Sequence, residues 1–204
     1  MTRLTKAQVL EPLARLRTDQ VVVTTMGAVR PWGLLSASDL DFASADSAMG
    51  HAADLALGVA LAQPQRQVIC LNGDGSMLMT LGTLVTIADS GSDNLVLFVL
   101  ENGTYEITGG QRVPGTGAVN LAAMAAAAGF DRVYRFDDPV EYEETLPQIL
   151  ESAGTVFVSL LMEQGSEGPI SRTPEEPAAY LQVSLAESAR RVRAALSGER
   201  TSED

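Results

Sequence analysis

The residues best suited to chemistry cluster around one short string, Gly73-Asp74-Gly75-Ser76. It follows the apolar run QVICL and precedes a helical pattern. Glycine-rich turns at a helix start bind phosphate through free backbone N–H groups and the helix dipole. A dinucleotide site wants G-x-G-x-x-G, but the sixth position here is Leu78 and no acidic group ends the strand to meet a ribose. Asp74 is more telling. A carboxylate between the two glycines repels a bound pyrophosphate unless a divalent cation bridges them. Magnesium prefers an octahedron of oxygens and shares them with phosphates. A second oxygen ligand is then expected at the end of a neighbouring strand, where Asn102 follows the run LVLFVLE. Between Gly75 and Asn102 lie 26 residues, enough for one helix and one strand. A parallel crossover of that length sets the two loops side by side. The backbone carbonyl of Thr104 is a third candidate ligand.

Elements that could position these groups alternate along the chain. Apolar spacing predicts helices over 5–17, 49–62, 77–90, 120–129 and 139–152. Compact β-branched or apolar runs predict strands over 20–25, 67–71, 95–100, 132–136 and 155–161, with a short extended segment at 41–46. Residues 101–118 are glycine-rich and predict a long loop, and such loops are usually functional or mobile. This alternation, with strands apolar on both faces, predicts a doubly wound α/β fold: a mostly parallel sheet with helices on both faces. The loops after three strands, at 24–27, 72–76 and 101–118, then converge on one edge. Residues 1–162 form the expected binding domain. Residues 163–174 read as a linker and 175–197 as an appended amphipathic helix.

The Asp74 and Asn102 pair across one strand–helix–strand unit resembles the thiamine diphosphate enzyme signature, a GDG followed by Asn about 25–30 residues later. The resemblance implies a thiamine diphosphate-binding fold. It also implies Mg2+ held on the diphosphate by Asp74, Asn102 and the Thr104 carbonyl. That signature usually ends in a doubled Asn, and here Glu101 takes the first place. Upstream, Ser47-Ala48-Met49-Gly50-His51 precedes a helix. By the same resemblance, Met49 wedges between the two cofactor rings, while the Ser47 carbonyl and Met49 N–H hold the pyrimidine edge. Ordinary packing at a helix start is the plainer role for Met49. Thr25, Met26 and Gly27 are expected to contact the diphosphate, as are Tyr105, Glu106 and Ile107. The strings SAMGHAADLALGVALAQP, LNGDGSMLMTLGTLVTIA and ENGTYEITGGQ are similar to the β chains of sulfopyruvate and phosphonopyruvate decarboxylases. His51, the one histidine, is a candidate proton donor to substrate or a simple cap. Arg30 and Arg112 are candidates for an anionic substrate tail, against the plainer reading of exposed arginines.

Composition narrows the classes. The chain has 204 residues and a formal charge of −12, which repels nucleic acid and anionic lipid. No apolar run is long enough to span a bilayer and no signal peptide is evident, so a cytoplasmic protein is expected. The single Cys70 excludes a disulfide or an iron–sulfur site made by this chain alone. In the family, the Glu that activates the cofactor's pyrimidine comes from a separate domain, for which this chain has no room. The resemblance therefore implies half an active site, completed by a pyrimidine-binding α subunit in a hetero-oligomer acting on a small-molecule 2-oxo acid. Decarboxylation is the first expectation. Carboligation or acyl transfer with the same cofactor shares its early steps, and a non-catalytic phosphate- or nucleotide-binding module is the alternative from another class.

Overall fold

The computed structural model describes residues 3–43 and 49–198. Helix α1 (Lys6–Leu16) opens on a capping box. The Thr5 hydroxyl accepts the Gln8 N–H at 3.2 Å, and the Gln8 side chain accepts the Thr5 N–H at 2.9 Å. Then follow β1 (Val21–Thr24), a 3-10 turn (Met26–Ala28), α2 (Val29–Leu35), β2 (Asp41–Ala43), α3 (Ala52–Ala62), β3 (Val68–Gly73), α4 (Asp74–Met79), α5 (Thr83–Asp89) and β4 (Leu95–Glu101). A small hairpin of β5 (Thr104–Tyr105) and β6 (Gln111–Arg112) encloses a 3-10 turn, Glu106–Thr108. The chain continues through α6 (Leu121–Ala128), β7 (Arg132–Phe136), α7 (Pro139–Glu151), β8 (Val156–Leu161), a 3-10 turn (Ala179–Leu181) and α8 (Leu185–Ser197).

Six strands form one sheet in the order β2-β1-β3-β4-β8-β7, with every pairing parallel. Strand alternation splits the core in two. Leu95, Leu97 and Val99 of β4 join Val21, Val23, Val68, Cys70 and Phe157 under α3, α5 and α6. Val96, Phe98 and Leu100 join Val22, Ile69, Leu71 and Val158 under α1, α2 and α7. Full burial of each such side chain contributes roughly 1.5–3 kcal/mol relative to exposure. Both faces are therefore covered, as the doubly wound reading expects. Consecutive strands β1, β2 and β3 place β1 between the other two, so the chain leaves β1 in one direction and β3 in the other. The loops after β1, β3 and β4 meet at the carboxyl edge of that reversal, where such sheets bind ligands.

Several local expectations are corrected. No glycine loop precedes the helix after β3: the strand runs through Gly73 and α4 starts at Asp74. The single helix expected over 77–90 is two, α4 and α5, broken around Thr80–Gly82. Helix α3 starts at Ala52, three residues late, with His51 as its N-cap. The loop over 101–118 contains the β5–β6 hairpin. Helix α2, which holds Pro31 and Gly33, was not among the expected elements. Pro31 is in its first turn, where backbone N–H groups lack helical partners anyway.

The helix expected over 175–197 begins only at Leu185, where the Ser184 hydroxyl accepts the Glu187 N–H at 3.2 Å. Residues 163–184 instead form a strap folded back on α2. Ala178 and Leu181 pack on Val29 and Ala43. The Tyr180 hydroxyl donates to the Val29 carbonyl. The Arg30 guanidinium grips both Glu176 oxygens at 2.8 Å. At the other end, the Leu4 N–H donates to Leu161 O and the Glu163 N–H to Leu4 O, each at 2.9 Å, extending the sheet beside β8.

Candidate functional site

A cleft open to solvent lies at the carboxyl edge of β1, β3 and β4. Three loops wall it. From β1 come Thr25, Met26 and Gly27. Met26 holds a left-handed backbone, φ +48°, uncommon for a residue with a side chain. The Thr25 hydroxyl is buried without a hydrogen-bond partner among the described residues. A buried, unsatisfied hydroxyl costs free energy until something takes its proton or lone pair.

From β3 and α4 come Gly73, Asp74, Gly75 and Ser76. Asp74 is buried. Its two carboxylate oxygens accept the N–H of Gly75 at 2.8 Å and of Gly103 at 2.7 Å, tying the β3 loop to the β4 loop. Burial pushes its carboxyl above the ordinary range, and these two N–H donors oppose that rise. Such a group gains from a bound cation. Gly75 is needed because a Cβ there would lie 2.7 Å from Cδ1 of the Tyr105 ring.

From β4 come Asn102, Thr104, Tyr105, Glu106 and Ile107. Asn102 Oδ1 accepts the Thr104 N–H at 3.0 Å, and its Nδ2 donates to Glu106 Oε2 at 3.0 Å. Met49 also lines the cleft. Gly50 stands behind it: its N–H donates to Ser76 Oγ at 2.8 Å and its carbonyl accepts from Thr80. Ser47 and Ala48 lie outside the described residues.

Three sequence candidates stand apart from this group. His51 does not line the cleft. Its side chain is 65% exposed, and Nδ1 sits 2.7 Å from Asp54 Oδ2, whose other oxygen accepts from Thr83. Arg30 is not available to a substrate, since Glu176 and Glu167 hold it. Arg112 is exposed and donates to Thr116 O. Glu101 has its carboxyl raised by burial and accepts from Ser159 at 2.6 Å, outside the cleft lining.

The residue that sequence reasoning missed is Lys6. From the first turn of α1 its ammonium reaches the cleft and pairs with Glu106 at 2.9 Å. Its being the chain's one lysine was a visible signal, but nothing in the sequence linked it to a loop 100 residues away.

The donor set fits a magnesium diphosphate. One carboxylate, one amide oxygen and a nearby carbonyl are hard oxygen ligands, suited to Mg2+ and poor for soft metals. Among the described residues no group of three or more His, Cys, Asp or Glu could hold a metal by itself, so the remaining charge and ligands would come from the diphosphate. Thr25, whose hydroxyl is buried and unpartnered among the described residues, and Gly73 both line this cleft.

The chain is 40% identical over 167 residues to a phosphonopyruvate decarboxylase of Streptomyces viridochromogenes, covering 81% of this chain and 41% of that protein. It is 40% identical over 118 residues to the sulfopyruvate decarboxylase subunit beta of Methanothermobacter thermautotrophicus, covering 58% of this chain and 60% of that subunit. It thus spans about two fifths of the phosphonopyruvate decarboxylases it matches. Its fold is similar to that of a thiamine diphosphate-dependent 4-hydroxybenzoylformate decarboxylase from Rhodococcus jostii RHA1, with a TM-score of 0.66 and 21% identity over 82% of this chain and 34% of the other. Among the described residues no helix is long and apolar enough to cross a membrane. Residues 39–160 match the family described as thiamine pyrophosphate enzyme, C-terminal TPP binding domain, and the chain belongs to that family.

Proposed function

We propose that this chain is the diphosphate-binding subunit of a two-chain, Mg2+-dependent 2-oxo acid decarboxylase. The observation that carries the reading is Asp74, a buried carboxylate bonded to the β4 loop and placed beside the unpartnered Thr25 hydroxyl and the Asn102 amide. Asp74, Asn102 and the Thr104 carbonyl would hold Mg2+. The Thr25 hydroxyl and backbone N–H groups around Gly27, Glu106 and Ile107 would hold the diphosphate. Met49 would support the cofactor's bent form from the cleft wall. Bound thiamine diphosphate supplies the nucleophilic carbon and electron sink for loss of CO2. The chain's own part is to bind, to orient and to neutralise charge. A separate α subunit would bring the carboxylate that faces the pyrimidine. The relatives named for phosphonopyruvate and sulfopyruvate support a 2-oxo acid with an anionic tail as substrate.

Calorimetry tests this reading on the chain reconstituted with its α subunit, encoded on this reading by an adjoining reading frame. Thiamine diphosphate should bind only with Mg2+, and Asp74→Ala should abolish the binding. Equal binding by wild type and Asp74→Ala, or none by the wild-type pair, overturns it.

A further inference from the structure

The cleft holds a second carboxylate, Glu106, whose presence needs explaining. An anionic side chain beside a diphosphate site opposes binding by charge repulsion. Yet the Glu106 side chain is only 5% exposed, and four donor contacts hold it. Lys6 Nζ bonds both oxygens at 2.9 and 3.0 Å. The Glu167 N–H of the strap donates to Oε1 at 2.7 Å. Asn102 Nδ2 donates to Oε2 at 3.0 Å. Glycines stand on both sides: a Cβ at Gly27 would lie 2.9 Å from Oε2, and one at Gly165 would lie 2.6 Å from Cδ. A Glu106 carboxylate in this place leaves room for no side chain at either position.

Resting on the magnesium reading above, we infer that Glu106 is a positioning residue that fixes which way round the Asn102 amide sits. An Asn amide presents an oxygen on one side and an NH2 on the other, and rotation by half a turn exchanges them. An ionised carboxylate only accepts, so it selects the NH2. The Thr104 N–H only donates, so it selects the oxygen. Together they permit one orientation, in which Oδ1 spends one lone pair on Thr104 and keeps the second for a cation. Lys6 balances the charge that this arrangement places beside the diphosphate. Partners that orient a ligand typically change metal affinity roughly 10–100-fold when removed.

The test compares Glu106→Ala, Glu106→Gln and Asp74→Ala in the reconstituted protein, measuring the Mg2+ concentration that half-saturates thiamine diphosphate binding and the cofactor affinity at saturating Mg2+. Glu106→Ala should raise the half-saturating Mg2+ roughly 10–100-fold. Cofactor affinity at saturating Mg2+ should stay within about threefold, a split that general loss of structure does not produce. Glu106→Gln keeps the side chain's shape, but Lys6 and the Glu167 N–H claim its one oxygen, so its NH2 faces Asn102 and should shift Mg2+ dependence at least as far as Glu106→Ala does. The inference is overturned if either variant leaves Mg2+ dependence unchanged, or if Glu106→Ala weakens cofactor affinity at saturating Mg2+ as much as Mg2+ dependence. In that assay, loss in Asp74→Ala with none in Glu106→Ala sinks this inference alone. Unchanged binding in Asp74→Ala sinks the magnesium reading itself.

Discussion

Gly73→Ala should stabilise the protein and weaken its cofactor binding. Gly73 has φ −104° and ψ 158°, a conformation alanine adopts freely. Among the described residues a Cβ there would meet nothing within 4 Å. Replacing glycine under those conditions removes conformational freedom from the unfolded chain and stabilises by about 0.4–1 kcal/mol. For a chain of this length each kcal/mol moves the melting temperature about 2–4 °C, so the unliganded protein should melt roughly 1–4 °C higher. The space the methyl enters is the cleft. Where a ligand must approach the backbone closely, one inserted methyl costs about 1–3 kcal/mol, or roughly 5–150-fold in affinity. Scanning calorimetry without ligand and titration calorimetry with Mg2+ and thiamine diphosphate measure the two effects. Unchanged affinity would refute the claim that Gly73 serves close approach, and a lowered melting temperature would refute the backbone reasoning.

Two further substitutions probe the strap. Glu176→Gln removes the charge gripped by Arg30 and should cost about 1–3 kcal/mol at pH 7, since Arg30 keeps Glu167 and two carbonyls. Arg30 holds the Glu176 carboxyl below its ordinary 4.5. The pair's contribution is therefore full above pH 4.5 and lost as pH falls through the lowered value, so denaturant melts of wild type and variant should converge in acid. Gly33→Ala gains helix propensity but drives a methyl to within 2.7 Å of Cδ1 of the Tyr180 ring and 2.8 Å of Ala178 Cβ. It should destabilise by about 1–3 kcal/mol and speed proteolysis within 163–184; unchanged proteolysis would mean that α2 does not anchor the strap.

The sheet was legible because its central strands are buried on both faces, so β1, β3, β4 and β8 read as unbroken apolar runs. The juxtaposition of the candidate site residues was legible where chemistry and spacing coincide: a parallel crossover was expected to set the Asp74 and Asn102 loops side by side, and it does. What escaped depended on contacts remote in sequence. Val29 and Trp32 bury one face of α2, but Pro31 and Gly33 hide that signal in a short segment. The strap was misread because Leu181 and Leu185 look like one helical stripe, whereas Leu181 packs with Ala178 on α2 and Ser184 starts a new helix. His51 read equally as a proton donor or a cap, and it stands at the N-cap of α3 with an exposed ring beside Asp54.

Lys6 has one more consequence. It is the chain's one lysine, so the protein carries a single side-chain amine, and that amine stands in the cleft wall with its side chain 19% exposed. An acylating reagent meets one side-chain target rather than a scattered surface set. The mass added there is a footprint of the cleft alone, and a ligand filling the cleft leaves its shadow at that one residue.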